Sequence, residues 1–146
     1  MSNRSVRVTA TALTVLLTAG SGAVLASPGV AATPAEGATV LKASLRSSGD
    51  ANGSGSATIR LMTARKRVCA DLSWRRIDAP AAAHIHRASD GAVVVDLTSS
   101  VADGTGCATG VRRTVIRAII DRPRKYYVNV HNATYPAGAV QGTLHR

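Results

Sequence analysis

Residues 126–144 read YYVNVHNATYPAGAVQGTL, and the reading of this stretch decides the fold. From Tyr127 to His131 apolar and polar side chains alternate, the period of a half-buried strand. That period sends Val128 and Val130 toward a core and sets Asn129 and His131 together on the opposite face. Tyr135-Pro136-Ala137-Gly138 then turns the chain, because Pro136 fixes its own φ and Gly138 admits a positive one. Val140 and Leu144 resume the apolar alternation in a closing strand. Upstream, Ala83-His84-Ile85-His86 repeats the pattern and puts two histidines on one face.

Working outward, the same period recurs. Leu41, Ala43 and Leu45 alternate with Lys42, Ser44 and Arg46 in a first strand, and Ser47 to Gly55 forms a hairpin loop carrying Gly49-Asp50 and Asn52-Gly53. Ala57, Ile59 and Leu61 are the inward set of a second strand; Val68, Ala70, Leu72 and Trp74 mark a third. The histidine strand covers Ala82 to Arg87. Ala92 to Leu97 is nearly continuous in apolar residues and is expected to be a central strand covered on both faces. Thr98 to Gly110 reads as a Gly/Ser/Thr loop. Val111, Val115, Ala118 and Ile119 fit a helical stripe that Pro123 stops, so a short helix is expected near Val111 to Ile120. Short strands separated by turn signals predict an all-β fold: an antiparallel β-sandwich, Greek-key or immunoglobulin-like/superoxide-dismutase-like, with one short helix.

The N-terminus has the layout of a secretory signal peptide. Asn3, Arg4 and Arg7 make a basic start, an uncharged run follows from Val8 to Ala26, and small residues come next. Both Val24-Leu25-Ala26 and Val30-Ala31-Ala32 satisfy the small-residue cleavage rule, and cleavage after Ala32 is preferred over an uncleaved anchor. The expected organisation is a signal peptide over 1–32, a short linker over 33–38 and one domain over 39–146, with a secreted, extracellular destination and no transmembrane segment after cleavage.

Among 146 residues there are 18 Lys and Arg against 8 Asp and Glu, and no Phe, so the core must come from Val, Ile, Leu and Ala. The positive balance favours anionic envelope polymers or lipid head groups; the expected partner is such a polymer or an unidentified extracellular protein. Arg65-Lys66-Arg67 and Arg122-Pro123-Arg124-Lys125 read as solvated turns rather than a built patch. Nucleic acid is set aside, since aromatic platforms beside the charge are missing and the chain is exported. Cys69 and Cys107 are the two cysteines, so an exported chain allows one pairing, a structural disulfide. A redox-active pair would show the close Cys-x-x-Cys spacing.

In order along the chain, GDANGSGSATIRL, AHIH, GAVVVDL and YYVNVHNATYPAGAVQGTL resemble the CHRD (chordin) domain family in its bacterial, secreted form. The resemblance runs from about Leu41 to Leu144. It implies a β-sandwich-like extracellular domain and does not imply an enzyme; animal relatives sit in a secreted antagonist of growth factors. The family usually follows its His-x-His with Arg/x-Gly and a longer glycine-rich turn, whereas here Arg87-Ala88 leads to a shorter turn at Gly91. The Glu-Ile-Arg-Gly-Gln ending appears as Ala139-Val140-Gln141-Gly142-Thr143, which loses both charges.

His84, His86 and His131 are the candidate metal ligands, three imidazoles for Cu²⁺ or Zn²⁺ with no fourth protein ligand identified. The competing expectation is a structural cluster that hydrogen-bonds to Asn129, Tyr126 or Tyr135 and binds no cofactor. Ring nitrogens within about 4 Å of one another favour metal; dispersed rings favour structure. The His-x-His spacing is also that of copper/zinc superoxide dismutases, although four histidines cannot supply that family's remaining ligands. His145 reads as a solvated tail residue. No catalytic residue is assigned: no serine lies in a Gly-x-Ser-x-Gly elbow, and the acidic residues are scattered at turns. The sequons at Asn52 and Asn132 are read as turn chemistry. The expected function is therefore a secreted, non-catalytic binding or scaffolding module; the alternatives are a histidine-based Cu/Zn-binding protein and, last, a superoxide-dismutase-like oxidoreductase built on that metal site.

Overall fold

The computed structural model describes residues 37–146; the expected signal peptide and nearly all of the linker lie outside them. Eight strands form in chain order: β1 Thr39–Ser47, β2 Ser54–Met62, β3 Arg67–Arg75, β4 Pro80–Arg87, β5 Val93–Asp96, β6 Thr105–Ala108, β7 Tyr126–Asn132 and β8 Val140–Thr143. One helix, α1, spans Arg113–Asp121, and 3₁₀ turns occupy Thr98–Ser100 and Pro123–Lys125. In β1, β2, β3, β4 and β7 the apolar alternation becomes burial. Leu41, Ala43 and Leu45 are buried while Lys42, Ser44 and Arg46 are exposed.

All eight strands belong to one sheet in the order β5-β4-β7-β8-β1-β2-β3-β6. Every pairing is antiparallel. Among the described residues, the mainly antiparallel β architecture with one short helix is as expected. The hydrogen-bonded ladder, however, runs unbroken through all eight strands instead of dividing into two sheets, and it curls nearly into a barrel. A twisted sheet of this size curls so that one face encloses the core. The 3₁₀ turn Thr98–Ser100 draws the two edges together. Leu97 N–H donates to Ala83 O of β4 at 2.8 Å. Gly106 of β6 approaches the Ser99 carbonyl so closely that a Cβ there would lie 2.6 Å from it.

The interior is aliphatic, as a chain without Phe requires. Leu41, Ile59, Leu61, Ile85, Leu97, Val128, Val130, Val140 and Leu144 are fully buried, with Ile116 and Ile119 of α1 packed against them. Small branched side chains suit an eight-stranded barrel, whose interior is just wide enough to be filled by them. Among the described residues, no helix is long and apolar enough to cross a membrane.

Three expectations are corrected. β5 is an edge strand, hydrogen-bonded to β4 alone, with Val95 buried and Val93 53 % exposed. An uninterrupted apolar run specifies high β-propensity but not two covered faces. Thr98 to Gly110 is not wholly loop: it contains β6, whose Thr-Gly-Cys-Ala sequence lacks alternation and which is held by pairing with β3. The helix forms close to where it was expected, but its deepest side chains are Ile116 and Ile119, and Val115 and Ala118 are half-buried. Cys69 and Cys107 face each other directly across β3 and β6 and are joined in the disulfide.

Candidate metal centre

β4 and β7 pair antiparallel, with His84 opposite Asn129, His86 opposite Tyr127 and Ala82 opposite His131. Residues opposite one another share a face, so this register brings all three candidate histidines to one side of the sheet. His131 lies diagonal to His84, and the rings form a triangle. Their centroids are separated by 5.0 Å (His84–His131), 5.6 Å (His84–His86) and 5.8 Å (His86–His131). One nitrogen from each ring lies within 4.8 Å of the others.

The tautomers follow from the partners, because a carbonyl oxygen can only accept. His86 Nδ1–H donates to Gly91 O at 2.8 Å, and His131 Nδ1–H donates to Pro136 O at 3.0 Å. In the neutral form of each ring, Nε2 is then the nitrogen without a proton. His131 Nε2 is 3.1 Å from His84 Nδ1, so His84 donates there. His86 Nε2 is buried and has no hydrogen-bond partner among the described residues. Leaving a buried polar atom unpaired costs about 1–3 kcal/mol, so this nitrogen is the costliest atom of the cluster. His86 is held further by stacking on Tyr127, with centroids 5.1 Å apart and planes 12° from parallel.

The surroundings favour uncharged rings. Burial lowers the pKa of both His84 and His131, and mutual repulsion with neighbouring histidines lowers it further. Asp96 Oδ1, 3.8 Å from His84 Nε2, and the Pro136 carbonyl at His131 oppose the effect without cancelling it. Asp96 stays ionised because its bonds from Thr98 lower its own pKa. Neutral imidazoles with one nitrogen turned outward to carbonyl or carboxylate and the other turned inward are the arrangement that orients histidine toward a metal.

The geometry is close to a coordination set and not yet one. Tetrahedral Zn²⁺ with bonds of about 2.0–2.1 Å places its nitrogens roughly 3.4 Å apart. The His84–His131 pair, at 3.1 Å, meets the 4 Å expectation; the full set, at 4.8 Å, exceeds it. Loading would draw His86 Nε2 inward and shift the His84 proton from Nδ1 to Nε2, which faces Asp96. Three nitrogens leave a fourth position for water or an exogenous ligand.

Several supporting groups were not apparent from sequence. Asp96, Tyr127 and the carbonyls of Gly91 and Pro136 complete the surroundings, whereas Asn129, Tyr126 and Tyr135 do not bond the rings. Asn129 instead donates to Ala137 O at 3.0 Å and is buried beneath the turn after β7. Asn132 accepts from Tyr135 N–H, so its side chain serves the turn. His145 is exposed, and its backbone pairs with Lys42.

A mostly antiparallel curled sheet with a polar histidine face on adjacent strands is thus the frame of this molecule. The CHRD domain family model matches residues 31–144, and the chain belongs to that family. Comparisons with curated proteins and with solved structures return no match.

Proposed function

We propose that this CHRD domain is a secreted, non-catalytic binding module whose ligand is one transition-metal ion, Cu²⁺ or Zn²⁺, held by His84, His86 and His131. The observation that carries this reading is His86 Nε2, a buried nitrogen without a partner beside two further imidazoles. A cluster built only for hydrogen bonding would satisfy that atom; a bound cation satisfies it and removes its cost. Secretion is supported by the basic start and uncharged run ahead of the domain, and by a family match beginning at residue 31, beside the preferred cleavage point. The non-catalytic reading rests on the lack, in the sequence, of a nucleophile elbow or paired carboxylates.

Thermal unfolding with metal and with chelator tests the proposal. A ligand at 100 times its Kd stabilises the native state by about 2.7 kcal/mol. The wild type should gain on that order with Cu²⁺ or Zn²⁺, and the His84→Ala/His86→Ala/His131→Ala variant should not. An equal response of both proteins, or none in the wild type, leaves the histidines a structural role alone.

A further inference from the structure

On another part of the molecule, the segment Arg122-Pro123-Arg124-Lys125 is not a free turn. Pro123 to Lys125 forms a 3₁₀ turn directly after α1. Lys125 N–H closes the turn on Arg122 O at 2.9 Å, and Lys125 O clamps it to the β4–β5 turn by accepting from Ala88 N–H at 2.8 Å. The clamp fixes one wall of a cleft of about 830 Å³ between α1 and that turn. Arg87, Arg117, Arg122, Arg124 and Lys125 line it, against a single acid, Asp121. A second hollow of about 500 Å³ shares Asp121, Arg122, Arg124 and Lys125 and adds Arg146.

The charges are poorly compensated. Arg87 pairs with Asp90, but Arg117, Arg122, Arg124 and Lys125 make no ion pair among the described residues. Gathering like charges on a fixed backbone costs stability through self-repulsion, and one carboxylate, Asp121, faces five cations in the cleft. The C-terminal end of α1 carries partial negative charge and tolerates nearby cations, but that effect fades within one turn and does not account for two adjoining hollows.

We infer that this cleft is an anion-binding site for a linear polymer carrying closely spaced phosphate groups. Guanidinium forks match phosphate oxygens in bidentate pairs, and their presentation on a clamped turn reduces the ordering lost on binding. Five cations within one cleft call for several charges over a short span, which a phosphate chain supplies more densely than a sugar acid polymer with one charge per ring. The site is independent of the histidine cluster and does not need it loaded.

The test uses inorganic polyphosphate as probe, with the exported protein at low and moderate salt. Arg117→Glu/Arg124→Glu changes two exposed cleft residues, and Arg65→Glu/Arg67→Glu makes the same charge change at the exposed β2–β3 turn. Binding should weaken at least about tenfold in the cleft variant, and its salt slope should fall by roughly two, while the turn variant changes little. Equal losses in both variants would reduce the effect to net charge and overturn the site. So would equal affinity for polygalacturonate, or binding to anionic phospholipid vesicles but not to polyphosphate. Matching thermal midpoints of the two variants show that neither result reflects misfolding.

Discussion

Replacing Gly138 by alanine should damage fold and histidine face together. Gly138 has φ +134°, a conformation that L side chains rarely adopt. An added Cβ would also lie 2.3 Å from Asn129 Oδ1, a buried side chain. Backbone strain of this kind costs about 1–3 kcal/mol. Overpacking a close contact adds about 1–3 kcal/mol. If Asn129 is displaced, its bond to Ala137 O is lost at roughly 1 kcal/mol more. A loss of about 2–7 kcal/mol is expected from these contributions, read as a lower urea midpoint at unchanged m-value. Pro136 lies in the same turn and its carbonyl orients His131, so metal-dependent stabilisation should shrink as well. A loss below about 1 kcal/mol would refute the claim that the turn is wedged against Asn129.

The remaining predictions concern protonation, the sheet edge and the disulfide. His84 and His131 have folded pKa values below the ordinary 6.5, so the native state favours their neutral forms. Their contribution is complete above about pH 6.5 and is lost as pH falls from there through the lowered folded values. Without metal, urea midpoints should drop from pH 7.5 to pH 5, and a rise would contradict the burial of these rings. Val95→Ala should cost about 1–3 kcal/mol and Val93→Ala under about 0.5 kcal/mol, since only the first side chain is buried; equal costs in equilibrium unfolding would contradict the edge position of β5. Cys69→Ser/Cys107→Ser opens a link between residues 38 apart and should cost up to about 4 kcal/mol, checked by intact mass and denaturant unfolding. Full stability in that variant would show the β3–β6 pairing to be self-sufficient.

Period-2 alternation made β1, β2, β3, β4 and β7 legible in the sequence, because each has one apolar face and burial follows it. β6 was hidden: four residues without alternation owe their strand state to partners far away in sequence, chiefly Cys69. β5 was visible as a strand but misplaced in the sheet, because an apolar run carries no information on how many neighbours it has. The continuous ladder was equally out of reach, since strand order depends on which edges meet, here around Thr98–Ser100. Of the histidine face, the pairing of His84 with His86 follows from their spacing alone. The arrival of His131 depended on the β4–β7 register. Asp96 and the two carbonyls come from turns and a neighbouring strand whose positions only the assembled sheet defines.

Long-range ¹H–¹⁵N spectra of the imidazole rings, recorded during a Zn²⁺ titration, read the central claim atom by atom. Saturation is expected at one equivalent, with His86 Nε2, His131 Nε2 and His84 Nδ1 taking metal-bound shifts while His145 does not move. Shifts confined to His145, or a cluster unchanged at several equivalents, would contradict it.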